Sequence, residues 1–210
     1  MRARNASNDR VRESRALGTR KPGPADLTAE RVVLVDPSDN QIGTEEKLRA
    51  HQTGQLHRAF SVFVFHPSGD VLLQKRATDK YHSGGLWSNA CCGHPRPGAE
   101  LRAEAQRRLH EEMGIECSLE EVFSFQYRSA LPGGLTENEL DHVFIGVSTQ
   151  DPIPEPAEVE DWRWASPPQI DQELADTADT FTVWFPLAWR ALSKHRYAAR
   201  SPTKRERETS

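Results

Sequence analysis

The strongest constraint on the fold is the segment 98–113, in which apolar side chains recur at every fourth position. The recurring residues are Leu101, Ala105, Leu109 and Met113. On a helix with 3.6 residues per turn, this spacing forms one apolar stripe. Gly114 follows directly, and glycine commonly ends a helix in the left-handed conformation. The segment therefore predicts an amphipathic helix that ends at Gly114.

Short β-rich segments flank this helix on both sides. The predicted strands cover residues 31–35, 59–65, 71–75, 86–92, 122–130, 140–148 and 161–165. Ser166 and Pro167 predict the start of a short helix, and a last amphipathic helix is predicted over 182–195. Strands interleaved with helices indicate one layered domain of the α/β (α+β) class, with a mixed sheet.

The charge distribution separates a folded core from two basic tails. The two ends carry net charges of +5 (residues 1–24) and +4 (residues 194–210). Because the whole chain has a net charge of −4, residues 25–193 carry a net charge of −13. Charged segments with few apolar residues cannot bury enough surface to offset chain entropy. We therefore expect disordered tails at 1–28 and 198–210, on either side of a folded domain at 29–197.

Several classes of protein are disfavoured by these features. An acidic core does not suit a nucleic-acid binder, and no apolar run reaches the roughly 18 residues of a membrane span. The basic N-terminus lacks the apolar stretch of a secretory signal. Cys91, Cys92 and Cys117 make a poor disulfide framework and predict a reducing cytoplasm. We expect a monomer, because no second apolar face is obvious.

Metal-ligating side chains recur at a spacing of two residues in two extended segments. Cys92 and His94 would share one face of such a segment, and so would Glu137 and Glu139. Two close carboxylates repel each other unless a cation lies between them. The chain also supplies the imidazoles of His51, His57 and His94. Together these donors form a mixed nitrogen and oxygen site suited to Mn²⁺ or Zn²⁺, with Mg²⁺ less apt.

Carboxylates and cations elsewhere in the chain suggest a phosphate site. Glu111 and Glu112 end the predicted helix, where they could bind a hard Mg²⁺ ion that bridges to substrate phosphates. Alone, however, such a helix end is usually solvated. The candidate phosphate-binding cations are Lys47, Arg76, Lys80 and Arg108. Beside an acidic metal cleft they could hold a diphosphate through charge-assisted hydrogen bonds.

The segment 93–115 resembles the Nudix box, the signature of a family that handles diphosphates with helix-borne glutamates and Mg²⁺. The shared residues are Gly93, Arg107, Leu109, Glu111, Glu112, Gly114 and Ile115. Arg108 stands where a Nudix hydrolase has a glutamate. The early glutamate of the box falls at Ala99, with Glu100 one place later. The loss of a metal-binding carboxylate disfavours hydrolysis.

Seven motifs in order resemble the type 1 isopentenyl-diphosphate isomerases of the same superfamily. They are GTxEKxxxH (43–51), LHxAF (56–60), QKRAxxK (74–80), LWSNAxCGHP (86–95), QYR (126–128), ENE (137–139) and VWF (183–185). The match runs from about Val32 to Trp189. It implies a Nudix-like mixed β-sheet sandwiched between helices. It also implies the interconversion of isopentenyl and dimethylallyl diphosphate by protonation and deprotonation, a step of isoprenoid biosynthesis.

The resemblance also implies roles for individual residues. The resident metal, Mn²⁺ or Zn²⁺, would be held by His51, His57, His94, Glu137 and Glu139. A Mg²⁺ ion that arrives with the substrate diphosphate would use Glu112. The diphosphate would be gripped by Lys47, Arg76, Lys80 and Arg108. Cys92 and Glu139 would be the catalytic pair, with Tyr127 assisting Glu139 and Trp184 lining the pocket.

The chemistry of the shift agrees with these roles. Moving the double bond adds a proton at C4 and removes one at C2, and a weakly basic alkene needs a positioned acid in a dry pocket. An aromatic face such as that of Trp184 would stabilise the tertiary carbocation. The sequence leaves open whether Cys92 or Glu139 acts first. Two other functions remain as alternatives: a Nudix diphosphate hydrolase, and a non-catalytic metal-binding or nucleic-acid-binding module that uses the basic tails.

Overall fold

The computed structural model describes residues 30–80 and 82–200. The predicted N-terminal tail, 1–28, lies outside these residues, and so do residues 201–210 of the predicted C-terminal tail. The last helix continues to Arg200 and thus takes in residues 198–200. Among the helices of the described part, none is long and apolar enough to cross a membrane.

Nine strands and four α-helices make up the described part of the chain. In chain order they are β1 (Arg31–Val35), β2 (Gln41–Glu46), α1 (Lys47–Thr53), β3 (His57–Phe65), β4 (Val71–Arg76), β5 (Trp87–Asn89), β6 (Cys91–Gly93), α2 (Leu101–Met113), β7 (Glu120–Ala130), β8 (Thr136–Val147), β9 (Val159–Ala165), α3 (Pro167–Asp176) and α4 (Phe185–Arg200). This order confirms the predicted α/β class and the single domain.

Strand β3 is the centre of one mixed sheet. It pairs in antiparallel fashion with β1, β4 and β6, and in parallel fashion with β8. Strand β7 extends the sheet beyond β8, and β9 pairs with β4. The parallel pair brings the start of β3 beside the start of β8, so that His57 lies opposite Glu139.

Both faces of β3 carry apolar side chains, as expected for a strand of a sheet that helices cover on both sides. Phe60, Val62 and Val64 face the stripe of α2 in one core cluster. Phe63 and Phe65 face the other way, into a cluster with residues of α3 and α4. Alternate residues of a strand point to opposite faces, so this pattern is typical of a sheet enclosed between two layers. The predicted sandwich of sheet and helices is confirmed.

Several predicted boundaries differ from the structure; the strand predicted at 140–148, for example, begins at Thr136. The predicted strand 86–92 is two short strands, because β5 pairs with β4 whereas β6 crosses to pair with β3. The polar stretch after β1 contains a strand, β2, and a helix, α1, that the sequence analysis did not separate. The last helix begins at Phe185 rather than at residue 182, which leaves Trp184 just outside it.

The ends of α2 are fixed by local contacts. The Glu100 carboxylate accepts hydrogen bonds from the backbone N–H groups of Arg102 and Ala103, which caps the N-terminus. Gly114 adopts φ +66° at the C-terminus, as predicted. A Cβ at this position would lie 2.9 Å from the Ile153 carbonyl oxygen. The loop that precedes β9 therefore packs directly on the end of the helix.

We predict that Gly114→Ala lowers the free energy of unfolding more than Gly133→Ala does. Both glycines have positive φ, +66° and +76°, but a Cβ at Gly133 would meet nothing within 4 Å. Each variant should lose about 1–3 kcal/mol from backbone strain. The contact with Ile153 should cost Gly114→Ala at least about 1 kcal/mol more. Urea unfolding of both variants measures the difference, and equal losses would contradict the prediction.

Candidate active site and metal centre

Glu139 lies at the centre of the candidate site, because three strands meet there. Within the sheet it pairs with His57 of β3 on one side and with Tyr127 of β7 on the other. The Tyr127 hydroxyl donates to Glu139 Oε2 at 2.6 Å and lies 3.1 Å from Glu137 Oε2. Glu137 and Glu139 therefore project from the same face of β8, as their spacing predicts.

Three imidazoles gather around this carboxylate from separate elements. His51 lies in α1, His57 begins β3 and His94 directly follows β6. Their ring centroids lie between 4.8 and 5.6 Å from one another. The Nε2 atoms of His57 and His94 lie 3.5 and 2.9 Å from Glu139 Oε1. The fold thus brings together residues from three distant parts of the chain.

The imidazole tautomers suit metal ligation. His51 Nδ1 lies 2.7 Å from the Lys47 carbonyl oxygen, and His57 Nδ1 lies 2.8 Å from that of Gln55. Since a carbonyl oxygen only accepts, each Nδ1 carries the proton and each Nε2 presents a lone pair. Within the described residues, both Nε2 atoms are buried without a hydrogen-bond partner. Buried acceptors of this kind beside a carboxylate fit a divalent cation.

The spacing and the charge state of the cluster also fit a cation. One donor atom from each of His51, His57, His94 and Glu139 lies within 4.8 Å of all the others. Burial, with the nearby rings of His94 and His57, lowers the pKa of His51 to about 4. Burial likewise lowers the pKa of His94. Neutral imidazole is the form that binds a metal, so this cluster is able to hold one.

The two carboxylates of the cluster would repel each other if both were ionised. Glu137 and Glu139 are only 3% and 7% exposed. Burial raises the pKa of Glu137 to about 9, and the charge on Glu139 adds to the effect. Burial also opposes ionisation of Glu139, but the nearby His57 ring and the hydrogen bond from His94 outweigh it and hold the pKa of Glu139 well below its ordinary value. A proton on Glu137 relieves the repulsion, and a divalent cation would relieve it instead.

Strand β6 places Cys92 in the same cleft. Cys92 lies opposite Ser61 of β3, and both Cys92 and His94 line the cleft, as their spacing predicts. Burial raises the pKa of Cys92 to about 12, although the Arg76 cation acts in the opposite direction. Its neighbour Cys91 is fully buried in the apolar core. Cys92 is therefore the thiol that faces the site, and it holds its proton at neutral pH.

The four predicted phosphate-binding cations line one side of this cleft. They are Lys47, Arg76, Lys80 and Arg108. Two of them share a carboxylate, since Lys80 pairs with Glu158 and Arg108 Nη2 lies 3.3 Å from the same group. Arg108 also pairs with Glu112. These contacts hold Lys80 and Arg108 side by side, where an anion could bind between them. The four cations together are called the cationic wall below.

Of the two carboxylates at the end of α2, only Glu112 enters the cleft. Glu112 is buried and accepts hydrogen bonds from Arg108 and from Gln74 Nε2, the latter at 3.0 Å. Glu111 instead forms ion pairs with Arg107 and Arg108 on the outer side of the helix. This arrangement agrees with the implied role of Glu112 as a ligand of a substrate-borne ion.

Trp184 forms an aromatic wall of the cleft. Its Nε1 donates to Ser88 Oγ at 3.0 Å, which fixes the plane of the ring. The Arg76 guanidinium lies 5.4 Å from the centre of the ring. Arg76 Nε is buried, and no residue of the described part accepts its hydrogen bond. The ring can therefore face a cation, and the guanidinium retains a donor for an incoming anion.

Two residues of the site were missed by the sequence analysis. Asp141 lies two residues after Glu139 and accepts a hydrogen bond from Ser61 Oγ at 2.8 Å. Burial and the charge of Glu139 raise the pKa of Asp141 to about 8. His82 lines the cleft, and burial, with the Arg76 cation, lowers its pKa to about 3. The spacing of two residues could have identified Asp141, but no motif surrounds His82.

The predicted site residues thus come together around one cleft. Those that line it directly are Lys47, Arg76, Lys80, Cys92, His94, Arg108, Glu112, Tyr127, Glu137, Glu139 and Trp184. His51 and His57 lie behind this surface and complete the metal cluster. The arrangement combines a His/Glu cluster able to hold a metal ion, four cationic side chains and a protonated thiol.

Comparison with a family model and with solved structures defines the class of fold. Residues 55–185 match the NUDIX domain family. A crystal structure of a Deinococcus radiodurans protein shares the fold, with a TM-score of 0.59 and 19% identity over 70% of this chain and 90% of that chain. A MutT protein from Methanosarcina mazei Go1 gives a TM-score of 0.55 and 18% identity over 70% and 96% of the two chains. The fold is that of a Nudix domain.

More similar relatives define the family within this class. An isopentenyl-diphosphate Delta-isomerase of Serratia proteamaculans is 50% identical over 156 residues, which cover 74% of this chain and 87% of the relative. Isopentenyl-diphosphate Delta-isomerase 2 of Photorhabdus laumondii is 51% identical over 164 residues, or 78% and 93% of the two chains. The chain therefore belongs to the isopentenyl-diphosphate Delta-isomerase family, which confirms the resemblance of its motifs.

We predict that Cys92 is a slowly alkylated thiol. Only the thiolate reacts, and a pKa of about 12 rather than 9.0 gives a thiolate fraction roughly a thousandfold lower at pH 8. The rate of iodoacetamide labelling should therefore rise about tenfold per pH unit from pH 7 to pH 10, without a plateau near pH 9. Mass spectrometry of the chelator-treated protein measures the rate, with glutathione as the free-thiol control. A plateau near pH 9 would contradict the raised pKa.

Proposed function

We propose that this protein interconverts isopentenyl diphosphate and dimethylallyl diphosphate by moving one proton onto C4 and one proton off C2. The observation that carries the proposal is the convergence, in one cleft, of the metal cluster, the Cys92 thiol and the cationic wall. The names and the 50% identity of the relatives support the same reaction. The product is a precursor for isoprenoid biosynthesis.

We assign the resident metal to His51, His57, His94, Glu137 and Glu139. This set of three nitrogen and two oxygen donors favours Mn²⁺ or Zn²⁺ over Mg²⁺. When bound, the ion supplies positive charge that keeps both carboxylates ionised and Glu139 in a fixed orientation. Hydrogen bonds within the protein also orient these side chains. Tyr127 donates to Glu139, and backbone carbonyl groups accept from His51 and His57.

The substrate diphosphate would bind along the cationic wall. Lys80 and Arg108 already converge on one carboxylate oxygen, Oε2 of Glu158, so they can converge on a phosphate oxygen as well. Arg76 adds the buried Nε donor, and Lys47 adds a further positive charge. Mg²⁺ brought by the diphosphate would be bound by Glu112, which lies beside Arg108. Arg108 thus binds phosphate where a Nudix hydrolase binds metal.

The proton transfers fall to Cys92 and Glu139. Burial keeps the Cys92 thiol protonated, whereas His57 and His94 keep Glu139 ionised. The resting pair therefore holds one proton and has room for one more, which a 1,3-shift requires. Tyr127 acts on Glu139, because its hydroxyl donates to the carboxylate that must gain or lose the proton.

Trp184 would stabilise the tertiary carbocation formed between the two transfers. Its ring is held by Ser88 and already lies beside the Arg76 cation, so its face is oriented to attract positive charge. Burial of the ring also keeps water from the reacting carbon, and water would otherwise trap the cation.

The proposed reaction requires a reducing environment. Cys91, Cys92 and Cys117 are all free thiols, and catalysis requires that Cys92 stays reduced. A reducing cytoplasm meets this condition. We further propose that the active unit is a monomer. No nucleic acid or membrane has a role in this reaction.

We predict that Cys92→Ala and Glu139→Gln both abolish the isomerase reaction. The assay is a proton NMR time course with isopentenyl diphosphate, Mg²⁺ and Mn²⁺ in D₂O. The wild type should produce dimethylallyl methyl signals that incorporate deuterium. Loss of a general acid or base should slow the rate by about 10²–10⁴-fold.

Cys91→Ala is the matched control for this experiment, because Cys91 is the adjacent thiol but lies in the apolar core. It should keep its activity. Inorganic phosphate is measured in parallel, since its release by the wild type without isomerisation would instead favour a Nudix hydrolase.

We predict that Lys80→Gln raises the KM for isopentenyl diphosphate by about tenfold, with a smaller effect on kcat. The substitution removes a charge-assisted hydrogen bond and leaves Glu158 facing the diphosphate with only Arg108 beside it. Lys75→Gln is the control, because Lys75 pairs with Glu160 and does not line the cleft. Steady-state kinetics of both variants test the assignment, and an unchanged KM for Lys80→Gln would refute it.

A further inference from the structure

His82 is the residue of the cleft to which no role has yet been given. It lies in the loop 77–86 between β4 and β5, and it lines the cleft. Its ring contacts Trp184 edge-on, with centroids 5.9 Å apart. On its other side it approaches His51, at a centroid distance of 6.3 Å. His82 therefore stands between the aromatic wall and the metal cluster.

A second set of donor atoms includes this imidazole. One donor atom from each of His51, His82 and Glu137 lies within 4.8 Å of the other two. His51 also belongs to the first donor set, with His57, His94 and Glu139. Donors on opposite sides of one ion lie about 4.2 Å apart, since each metal–nitrogen bond is about 2.1 Å. His82 thus lies near that separation from two of the proposed ligands of the resident ion, His51 and Glu137.

The loop holds His82 in this place through its own backbone. The Arg76 N–H donates to the Leu86 carbonyl oxygen at 2.9 Å, and the Gly85 N–H donates to the Arg76 carbonyl oxygen at 3.0 Å. A Cβ at Gly84 would lie 2.3 Å from the Thr78 carbonyl oxygen, so the two sides of the loop pack without space for a side chain. The described residues on the two sides of this loop, 76–80 and 82–86, are thus joined at its base.

We infer that His82 is a further ligand of the resident metal ion. The inference rests on the metal centre of the proposed function and extends its donor set to four imidazoles and two carboxylates. A set of four nitrogen and two oxygen donors favours a borderline ion such as Zn²⁺ or Co²⁺ over Mg²⁺.

The position of His82 also joins the metal to the phosphate site. Lys80 lies two residues before His82 in the same loop and belongs to the cationic wall. An ion bound by His82 would therefore fasten the loop that carries Lys80. Metal loading should protect the loop 77–86 from hydrogen exchange, and this protection should depend on the His82 imidazole.

The test uses the full chain stripped of metal and then loaded with one equivalent of Zn²⁺. X-ray absorption at the zinc edge should count four imidazoles in the wild type and three in His82→Ala. Competition with a chelator should show that His82→Ala weakens zinc binding by about tenfold or more. With Co²⁺ in place of Zn²⁺, the visible absorption spectrum should shift in the variant.

Two further variants make the outcome specific. His66→Ala removes a histidine from the β3–β4 turn, outside the cleft, and should match the wild type in every readout. His57→Ala removes a ligand of the first donor set and should lower zinc affinity strongly. His82→Gln serves as a second substitution if His82→Ala does not fold.

Each outcome decides between the two claims. If His82→Ala and the wild type give the same imidazole count, zinc affinity and cobalt spectrum, while His57→Ala loses the metal, the role of His82 is refuted and the metal centre stands. If His57→Ala also binds zinc like the wild type, the metal centre itself is refuted.

Discussion

The burial of the ionised Glu139 carboxylate is the constraint on which the rest of the site depends. A carboxylate that is only 7% exposed costs several kcal/mol unless charges or donors compensate it. His57, His94 and Tyr127 provide that compensation, and each belongs to a different part of the sheet. Residues from β3 and β7 and the residue that follows β6 therefore all contact one group of β8. A cation bound at the cluster would complete the same compensation.

Much of the fold and site could be predicted because the decisive signals are local. The apolar stripe of α2, its glycine cap and the turn between β3 and β4 each depend on a few neighbouring residues. The spacing of two residues placed Cys92 beside His94, and Glu137 beside Glu139, on shared faces. The motifs then brought the distant segments together, which spacing alone could not do.

The remaining features depend on contacts between distant segments. The break between β5 and β6 arises because one short strand pairs with β4 and the next with β3, and no local pattern encodes that change of partner. His82 is a single imidazole in a loop, and only the tertiary fold brings it near His51. Asp141 shares a face of β8 with Glu139, but its raised pKa follows from burial, which only the folded sheet creates.

The parallel pairing of β3 with β8 has a consequence for biosynthesis. It joins residues such as Ser61 and Asp141, which are 80 positions apart in the chain. At about 5–20 residues per second, the ribosome completes β8 roughly 4–16 seconds after β3. Once residue 94 has been made, the growing chain carries all three imidazoles of the cluster but neither Glu137 nor Glu139. The complete donor set therefore exists only after β8 has been synthesised, and a nascent chain that binds an ion earlier does so without these two carboxylates.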